Sequence, residues 1–244
     1  LKCNGLEVDC DELQPGISKL SLITDAFRSG DKIEIVFESD DTEKAIASTV
    51  IPGTFPQYEL ELCKSSNAQR NIKIRYNDDP DTEDWYAASV KWNGVQERYV
   101  GLDEPQIVEV RNQMIYPPTG YNDLQLEPES YSPIIVSFQG DYLYVWKDSE
   151  EEDNEYDLCF NYRSNWDGYV TSVKDAEVQC TLFKLSEEMY RYLFAEFDSW
   201  NNPFIEAGMS SPAFTYSNVR NGAGYLCGYS VVHSEWIKDN LFEE

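Results

Sequence analysis

The sequence has a single histidine, His233, and it lacks the motifs that place a nucleophile beside a base. A serine or cysteine nucleophile needs such a base to accept its proton, and no Gly-x-Ser-x-Gly segment is present to display one. We therefore expect His233 to be a surface or packing residue without a chemical role. The sequence predicts no catalytic residue and no cofactor.

Basic residues are also scarce, because 19 Lys and Arg stand against 45 Asp and Glu, which gives a formal net charge of −26. Binding to nucleic acid depends on clustered Lys and Arg that neutralise phosphates. An anionic membrane surface repels an acidic chain for the same reason. The charge balance excludes nucleic acid as a partner and leaves sugars, peptides and other proteins.

Long apolar runs and Cys-x-x-Cys pairs are absent, which argues against a membrane-spanning helix and a structural zinc site. An even number of cysteines is compatible with disulfides in several pairings. Cys180 fits equally well as a buried free thiol, because it lies on the apolar side of a strand pattern. The six cysteines are Cys3, Cys10, Cys63, Cys159, Cys180 and Cys227.

Two acidic runs, 77–84 and 148–157, have the composition of calcium-binding loops but lack a glycine. A calcium loop of the EF-hand type places acidic residues at alternate positions around a glycine that makes the sharp turn. We therefore expect both runs to be solvated turns at strand ends, and we predict no metal site.

Short segments in which apolar and polar residues alternate dominate the chain, and this pattern is typical of half-buried antiparallel strands. Turn-rich segments at 52–56 and 77–84 separate the first of them, and Gln139-Gly140-Asp141 predicts a tight hairpin. The residues predicted to share a face within each strand are Ile33, Ile35 and Phe37; Tyr58, Leu60 and Leu62; Ile72, Ile74 and Tyr76; Tyr156, Leu158, Phe160 and Tyr162; and Ala176, Val178, Cys180 and Leu182.

One segment has helical spacing instead, and we predict a helix at 186–200. Ser186 is a good N-cap, and acidic residues follow it where the helix dipole favours anions. Asn-Asn-Pro at 201–203 is a stop signal. The predicted apolar stripe consists of Met189, Leu193, Phe197 and Trp200.

The segment 114–133 contains four prolines and no clear period, and we interpret it as a linker. It divides the chain into a first domain at 1–113 and a second domain at 134–244. We predict a mainly β fold, with an N-terminal Ig-like β-sandwich followed by a β-rich domain. This second domain is either a sandwich or a partly open barrel, and it carries the helix 186–200.

Three glycines, Gly222, Gly224 and Gly228, lie close together near the C-terminal end of the sequence. A dinucleotide-binding loop needs a different glycine spacing and a helix directly after it, whereas a β-branched and aromatic run follows here. We predict a structural role, namely a turn at Asn221-Gly222 with Gly222 at positive φ, followed by a terminal strand.

The segment 164–169 provides the candidate ligand-binding residues. Trp166 and Tyr169 lie beside Asn165 and Asp167 in a predicted loop. Flat aromatic rings with adjacent polar groups suit stacking against a sugar or a peptide. These four residues form our candidate ligand site.

The C-terminal third carries a longer pattern, in which a helix with Tyr190, Tyr192 and Leu193 precedes Pro212 and a motif of the form SN[IV]..G.G.[FL].GYS. The motif positions are Ser217, Asn218, Val219, Gly222, Gly224, Leu226, Gly228, Tyr229 and Ser230. In these residues the chain resembles an uncharacterised family of Bacteroidota outer-membrane lipoproteins, typically encoded with TonB-dependent transporters. The resemblance implies a lipid-anchored protein at the cell surface whose partner is an outer-membrane transporter or another surface protein. Because Lys2 precedes Cys3 where a lipobox has a small residue, the lipid anchor is expected upstream of Cys3.

Two functional hypotheses follow. The preferred one is a non-enzymatic cell-surface lipoprotein that binds a glycan or peptide ligand, docks on a TonB-dependent transport complex, or does both during nutrient uptake. The alternative is a surface glycan hydrolase that uses paired carboxylates, although the abundance of acidic residues singles out no pair.

Overall fold

The computed structural model describes residues 2–3, 6–7, 11–14, 17–19, 27–39, 42–64, 69–99, 104–114, 124–127, 134–148, 155–163, 170–201, 209 and 216–239. Strands make up most of the described residues, which contain one α-helix, so the predicted mainly β fold class is confirmed. The strands are β1 (Lys2–Cys3), β2 (Leu6–Glu7), β3 (Asp11–Gln14), β4 (Ile17–Lys19), β5 (Lys32–Ser39), β6 (Thr42–Val50), β7 (Tyr58–Lys64), β8 (Gln69–Asn77), β9 (Trp85–Arg98), β10 (Gln106–Met114), β11 (Leu124–Glu127), β12 (Ile134–Phe138), β13 (Asp141–Lys147), β14 (Glu155–Arg163), β15 (Val170–Leu185), β16 (Tyr229–His233) and β17 (Ile237–Lys238). The helix α1 (Glu187–Asn201) lies between β15 and β16 in the chain.

The chain divides into two compact units, each built from two chain segments. Unit 1 consists of Leu1–Phe55 and Phe183–Val231, and unit 2 consists of Pro56–Leu182 and Val232–Glu244. This division differs from the one predicted at the linker 114–133, because strands from both sides of that segment pair within unit 2. Strand β13 pairs with β9, and β14 pairs with β8.

In unit 2, a four-stranded sheet has the order β11-β14-β8-β7, and a second sheet contains β12, β13, β9 and β15 as successive neighbours. The alternation predicted for β8 is confirmed, because Ile72, Ile74 and Tyr76 are buried while Arg75 is exposed. Strand β9 is buried on both faces over residues 86–90, as a central strand between covered faces requires. Its first half pairs with β13 and its second half with β10.

Four buried aromatic side chains join the two sheets of unit 2, and we call Tyr76, Tyr86, Trp146 and Tyr156 the aromatic cluster. Within the β8–β14 pair, the rings of Tyr76 and Tyr156 stack with their centroids 5.1 Å apart. Across the sheets, Trp146 Nε1 donates a hydrogen bond to the Tyr76 hydroxyl at 2.8 Å. The rings of Tyr76 and Tyr86 meet edge to face at 5.4 Å, a preferred aromatic geometry.

Other strand predictions also hold in unit 2. The predicted hairpin joins β12 to β13, and Gln139 and Gly140 both take positive φ, at 52° and 88°. Such values are typical of a two-residue hairpin turn whose twist matches that of the strands. The buried residues of β15 include the predicted set Ala176, Val178, Cys180 and Leu182, and those of β14 include Tyr156 and Leu158. The side chains of Phe160, Tyr162 and Trp200 lie outside the described part of the structure.

In unit 1, a four-stranded sheet has the order β2-β1-β5-β6. Of Ile33, Ile35 and Phe37, which were predicted to share one face of β5, only Ile33 is buried, because Phe37 is 64% exposed and Ile35 is also exposed. Ile33 lies opposite Thr49, whose hydroxyl donates to a Glu188 carboxylate oxygen in the first turn of α1 at 2.9 Å. Burial on this face is therefore found where the strands contact the start of the helix.

The predicted helix 186–200 corresponds to α1, and its N-cap is confirmed because Ser186 Oγ accepts a hydrogen bond from the Met189 N–H at 3.2 Å. Met189 and Leu193 are buried, as the helical stripe predicts. Phe197 is half-buried, so the stripe becomes less buried towards the end of the helix.

The hydrogen bond inside the aromatic cluster gives a first prediction. Replacing Tyr76 with Phe removes the hydroxyl and leaves the buried Trp146 N–H without its acceptor, which should lower the free energy of unfolding by about 1–3 kcal/mol. Chemical denaturation followed by tryptophan fluorescence measures this change. Tyr99→Phe is the matched control, since that hydroxyl belongs to an exposed side chain. Equal stability of the Tyr76→Phe and Tyr99→Phe variants would contradict the role we give this bond.

Candidate functional site

The C-terminal motif is a scaffold held together by the side chain of Asn218. Asn218 Oδ1 accepts a hydrogen bond from the Leu226 N–H at 2.8 Å, and Asn218 Nδ2 donates to the Leu226 carbonyl at 2.8 Å. The same amide nitrogen lies 3.2 Å from the Ser48 carbonyl of β6. One side chain thus closes the loop between residues 218 and 226 and fastens it to the sheet of unit 1, a task that requires both a donor and an acceptor.

Gly228 and Ser186 connect the same loop to the start of α1. Ser186 Oγ accepts a hydrogen bond from the Gly228 N–H at 3.1 Å, and the Ser186 N–H donates to the Gly228 carbonyl at 2.8 Å. A Cβ atom at Gly228 would lie 3.0 Å from the carbonyl oxygen of Val50. Glycine is therefore required here by close backbone approach, and Ser230 continues the attachment by donating to the Gly53 carbonyl.

The predicted turn at Asn221-Gly222 is present, but the residue at positive φ is Asn221, at 58°, followed by Gly224 at 132°. The expectation that Gly222 takes positive φ is wrong. Asn tolerates the left-handed region, and the Asn221 side chain also donates to the Lys44 carbonyl at 3.2 Å. Gly222 is restricted by packing instead, because its Cβ would lie 3.0 Å from Val219 Cγ1.

The scaffold presents tyrosine rings at the surface of unit 1. Tyr225 is 49% exposed, and its ring stacks on Tyr192 of α1 with centroids 3.9 Å apart and an interplanar angle of 27°. Burial and a hydrogen bond with Tyr225 both raise the pKa of Tyr192, so its hydroxyl stays protonated at physiological pH. Tyr229, also exposed, lies edge to face with Phe183 at 5.8 Å. We call the stacked pair Tyr192 and Tyr225 the tyrosine surface.

A group of carboxylates lies at one end of the aromatic cluster in unit 2. The Tyr86 hydroxyl hydrogen-bonds to Asp78 Oδ1 and lies 3.4 Å from Asp84 Oδ2, which also accepts from the Thr82 hydroxyl at 2.9 Å. The Asp148 N–H donates to the Asp84 carbonyl at 3.1 Å. Asp84 and Asp148 are only 8% and 6% exposed.

Burial raises the pKa of Asp148 to about 6, and the nearby charges of Asp78 and Asp84 act in the same direction. The hydrogen bond with the Asp84 backbone and the charge of Lys147 oppose this shift. Burial likewise raises the pKa of Tyr86, and its hydrogen bond to Asp78 adds to the shift. In the described residues, no group of three or more His, Cys, Asp or Glu side chains is arranged to hold a metal ion.

The sequence pattern did not reveal this group, because both acidic runs were expected to be solvated. That expectation holds for Asp79 and Asp81, which are exposed, but it is wrong for Asp84 and Asp148. Asp84 directly precedes the buried strand segment of β9, and Asp148 directly follows β13. The sequence offered one signal for their burial, namely that each adjoins the end of a buried strand, but the many acidic residues nearby obscured it.

The described thiols and the histidine have ordinary structural surroundings. Cys63, Cys180 and Cys227 are free, so the interpretation of Cys180 as a buried free thiol is confirmed. Burial raises the pKa of both Cys180 and Cys227 to about 12, which keeps each thiol protonated and weakly nucleophilic. His233 is exposed, and its Nδ1 lies 3.0 Å from the Thr181 hydroxyl.

The candidate ligand-binding residues Asn165, Trp166, Asp167 and Tyr169 lie outside the described residues, so that hypothesis stays a prediction. Pro212 of the longer pattern also lies outside them. Within the part of the chain that the structure describes, no helix combines the length and apolarity needed to cross a membrane.

The described residues define a β-rich fold of two compact units, with one helix whose N-cap, Ser186, is hydrogen-bonded to Gly228 of the C-terminal loop. A family model matches residues 5–235, and the chain belongs to that family, described as a domain of unknown function (DUF4249). The prediction of an uncharacterised family is confirmed at this level. No curated protein and no solved structure matches the chain.

The scaffold role of the motif gives a second prediction. Asn218→Ala leaves the Leu226 N–H and two carbonyl groups without their side-chain partner, and it should lower the free energy of unfolding by about 2–4 kcal/mol. Ser217→Ala is a control from the same motif, because Ser217 is exposed and its hydroxyl makes only a long contact with the Val219 N–H at 3.4 Å. Urea denaturation compares the two. An Asn218→Ala variant as stable as Ser217→Ala would show that the amide is not the fastening group.

Proposed function

We propose that this chain is a non-enzymatic, lipid-anchored protein of the outer-membrane surface that docks on a TonB-dependent transport complex. The observation that carries the proposal is the tyrosine surface, whose rings are half exposed yet held in place by the C-terminal motif. Tyrosine is enriched at protein–protein interfaces, where its ring supplies contact area and its hydroxyl supplies a hydrogen bond.

The geometry of the Tyr192–Tyr225 stack supports docking because it limits the motion of an exposed side chain. An interface that orders free side chains loses conformational entropy on binding, and a ring already stacked on its neighbour loses less. The hydrogen-bonded loop beneath Tyr225, closed by Asn218, restricts the backbone in the same way. The tyrosine surface is therefore preorganised for a protein partner.

The identity of the partner is supported by the resemblance of the C-terminal pattern to Bacteroidota outer-membrane lipoproteins encoded with TonB-dependent transporters. The net charge of −26 disfavours binding to nucleic acid and to anionic membrane surfaces, and it is compatible with a protein partner. Protonated, weakly nucleophilic thiols at Cys180 and Cys227 further support a binding role over a catalytic one. A glycan or peptide held by Trp166 and Tyr169 remains the ligand hypothesis.

Capture from detergent-solubilised outer membranes tests the docking proposal. The tagged full chain should retain a TonB-dependent transporter, identified by mass spectrometry, and Tyr225→Ala should reduce the amount captured about tenfold or more, as for the loss of an interface hot spot. Tyr99→Ala is the matched control, since Tyr99 is similarly exposed but belongs to unit 2.

The comparison between the two variants decides the outcome. Equal capture by Tyr225→Ala and Tyr99→Ala would refute docking through the tyrosine surface. Capture of no transporter by the wild-type chain, even after chemical cross-linking in intact membranes, would refute the proposed partner.

A second candidate function, glycan hydrolysis by paired carboxylates, is favoured by one observation. Burial raises the pKa of Asp148 to about 6, and the charges of Asp78 and Asp84 act on it. A glycosidase likewise pairs a carboxyl of raised pKa with a second carboxyl group. On our proposal, the protein releases no reducing sugar from polysaccharides. If it does, Asp148→Asn should lower the rate at least about a hundredfold, whereas Asp141→Asn, whose carboxylate is exposed and paired with Lys91, should not.

A further inference from the structure

The turn 78–84 is held to the end of β13 by polar contacts that involve both backbone and side chains. The Asp148 N–H donates to the Asp84 carbonyl at 3.1 Å, and Lys147 forms an ion pair with Glu83. On the same turn, Thr82 donates to the Asp84 carboxylate, and its backbone N–H donates to the Asp79 carbonyl at 3.2 Å. We call this set of contacts the polar joint, and it lies directly beside Tyr86 of the aromatic cluster.

The surroundings of Asp148 in the polar joint disfavour a negative charge. It is only 6% exposed, and the nearest charges on the turn and at the end of β8 are those of Asp84 and Asp78. Lys147 is the neighbouring cation, but it is shared with Glu83. The described titratable and charged groups that face Asp148 are Tyr76 on β8, Asp78 directly after β8, Asp84 on the turn and Lys147 on β13.

We propose that the polar joint is a pH-sensitive latch, closed while Asp148 holds a proton and loosened when the three carboxylates Asp78, Asp84 and Asp148 are all ionised. Like charges in a poorly solvated site repel one another. This repulsion is relieved when one carboxylate takes up a proton or when the carboxylates move apart. The turn is the part that moves, because Asp79 and Asp81 at its tip are exposed and the tip is held by hydrogen bonds within the turn itself. This inference stands on unit 2 alone and does not depend on the proposed docking function.

The direction of the pH effect follows from the pKa of Asp148, which burial raises to about 6 in the closed joint. A carboxyl whose pKa is higher in the closed state than in the open one favours closure at low pH, and that contribution is lost as the pH rises through about 6. With an ordinary carboxyl pKa of about 3.9 in the open state, the opening constant rises about tenfold between pH 5 and pH 7.5.

Hydrogen exchange of backbone amides in the full chain measures this opening directly. After correction for intrinsic exchange rates, protection of residues 79–86 and of the Asp148 N–H should fall about tenfold between pH 5 and pH 7.5 in the wild type. In Asp148→Asn, which cannot ionise, protection of the same amides should be independent of pH across this range. Asp141→Asn is the control, because it removes an exposed carboxylate from the start of the same strand and should keep the wild-type dependence.

The latch proposal would be overturned if amide protection in the wild type did not change with pH, or if it fell equally with pH in Asp148→Asn. Because Asp148→Asn could alter folding, the wild-type protein offers an independent measurement, the carboxyl ¹³C shift of Asp148 followed by NMR. A titration midpoint near 6 that coincides with the loss of amide protection supports the proposal. A midpoint below about 4.5, close to that of an ordinary carboxyl, contradicts it.

Discussion

The hydrogen bond from the Trp146 indole to the Tyr76 hydroxyl is the constraint on which the packing of unit 2 depends. Both groups are buried, and a buried indole N–H without an acceptor is costly, so the two sheets are stable only when these residues face each other. A shift of β8 by one residue against its neighbours would turn Tyr76 to the opposite face and put Arg75 or Asn77 in its place. A single polar contact between residues 70 positions apart in the chain thereby favours one register of β8 within its sheet.

In unit 1, the C-terminal loop runs beside β6 and is held there by one backbone bridge, between Arg220 and Ile46, together with side-chain contacts. Asn218 and Ser186 supply donors and acceptors, and Gly228 supplies the space for close approach to the backbone of β6. These residues belong to the C-terminal motif or to the helix cap, so the motif describes how this part of the chain folds. The side chains that the motif presents, Tyr225 and Tyr229, are the better guide to what the surface contacts.

The sequence was most informative where burial follows directly from the local pattern. Alternation predicted the faces of β8 and β15 because covered sheets bury every second residue, and the N-cap at Ser186 predicted the start of α1. It failed for Asp84, whose backbone contacts Asp148, far along the chain. Alternation also did not indicate which residues of a shared face are buried, since Ile33 is buried and Phe37 is exposed. The carboxylates of the polar joint were hidden for the same reason, because acidic residues in a turn are normally solvated and nothing local marks the few that turn inward.

The division of the chain into units has a consequence for its synthesis. The segment Pro56–Leu182, which supplies most of unit 2, is inserted between the two segments of unit 1. During translation, Leu1–Phe55 leaves the ribosome first but must wait for Phe183–Val231 before the contacts of Asn218 with Ser48 can form. The N-terminal segment therefore cannot complete its fold first, and unit 2 in turn lacks Val232–Glu244, which follow the last segment of unit 1. Each unit is completed by a segment from the C-terminal part of the chain, so neither can form all of its contacts while only the first 182 residues have been made.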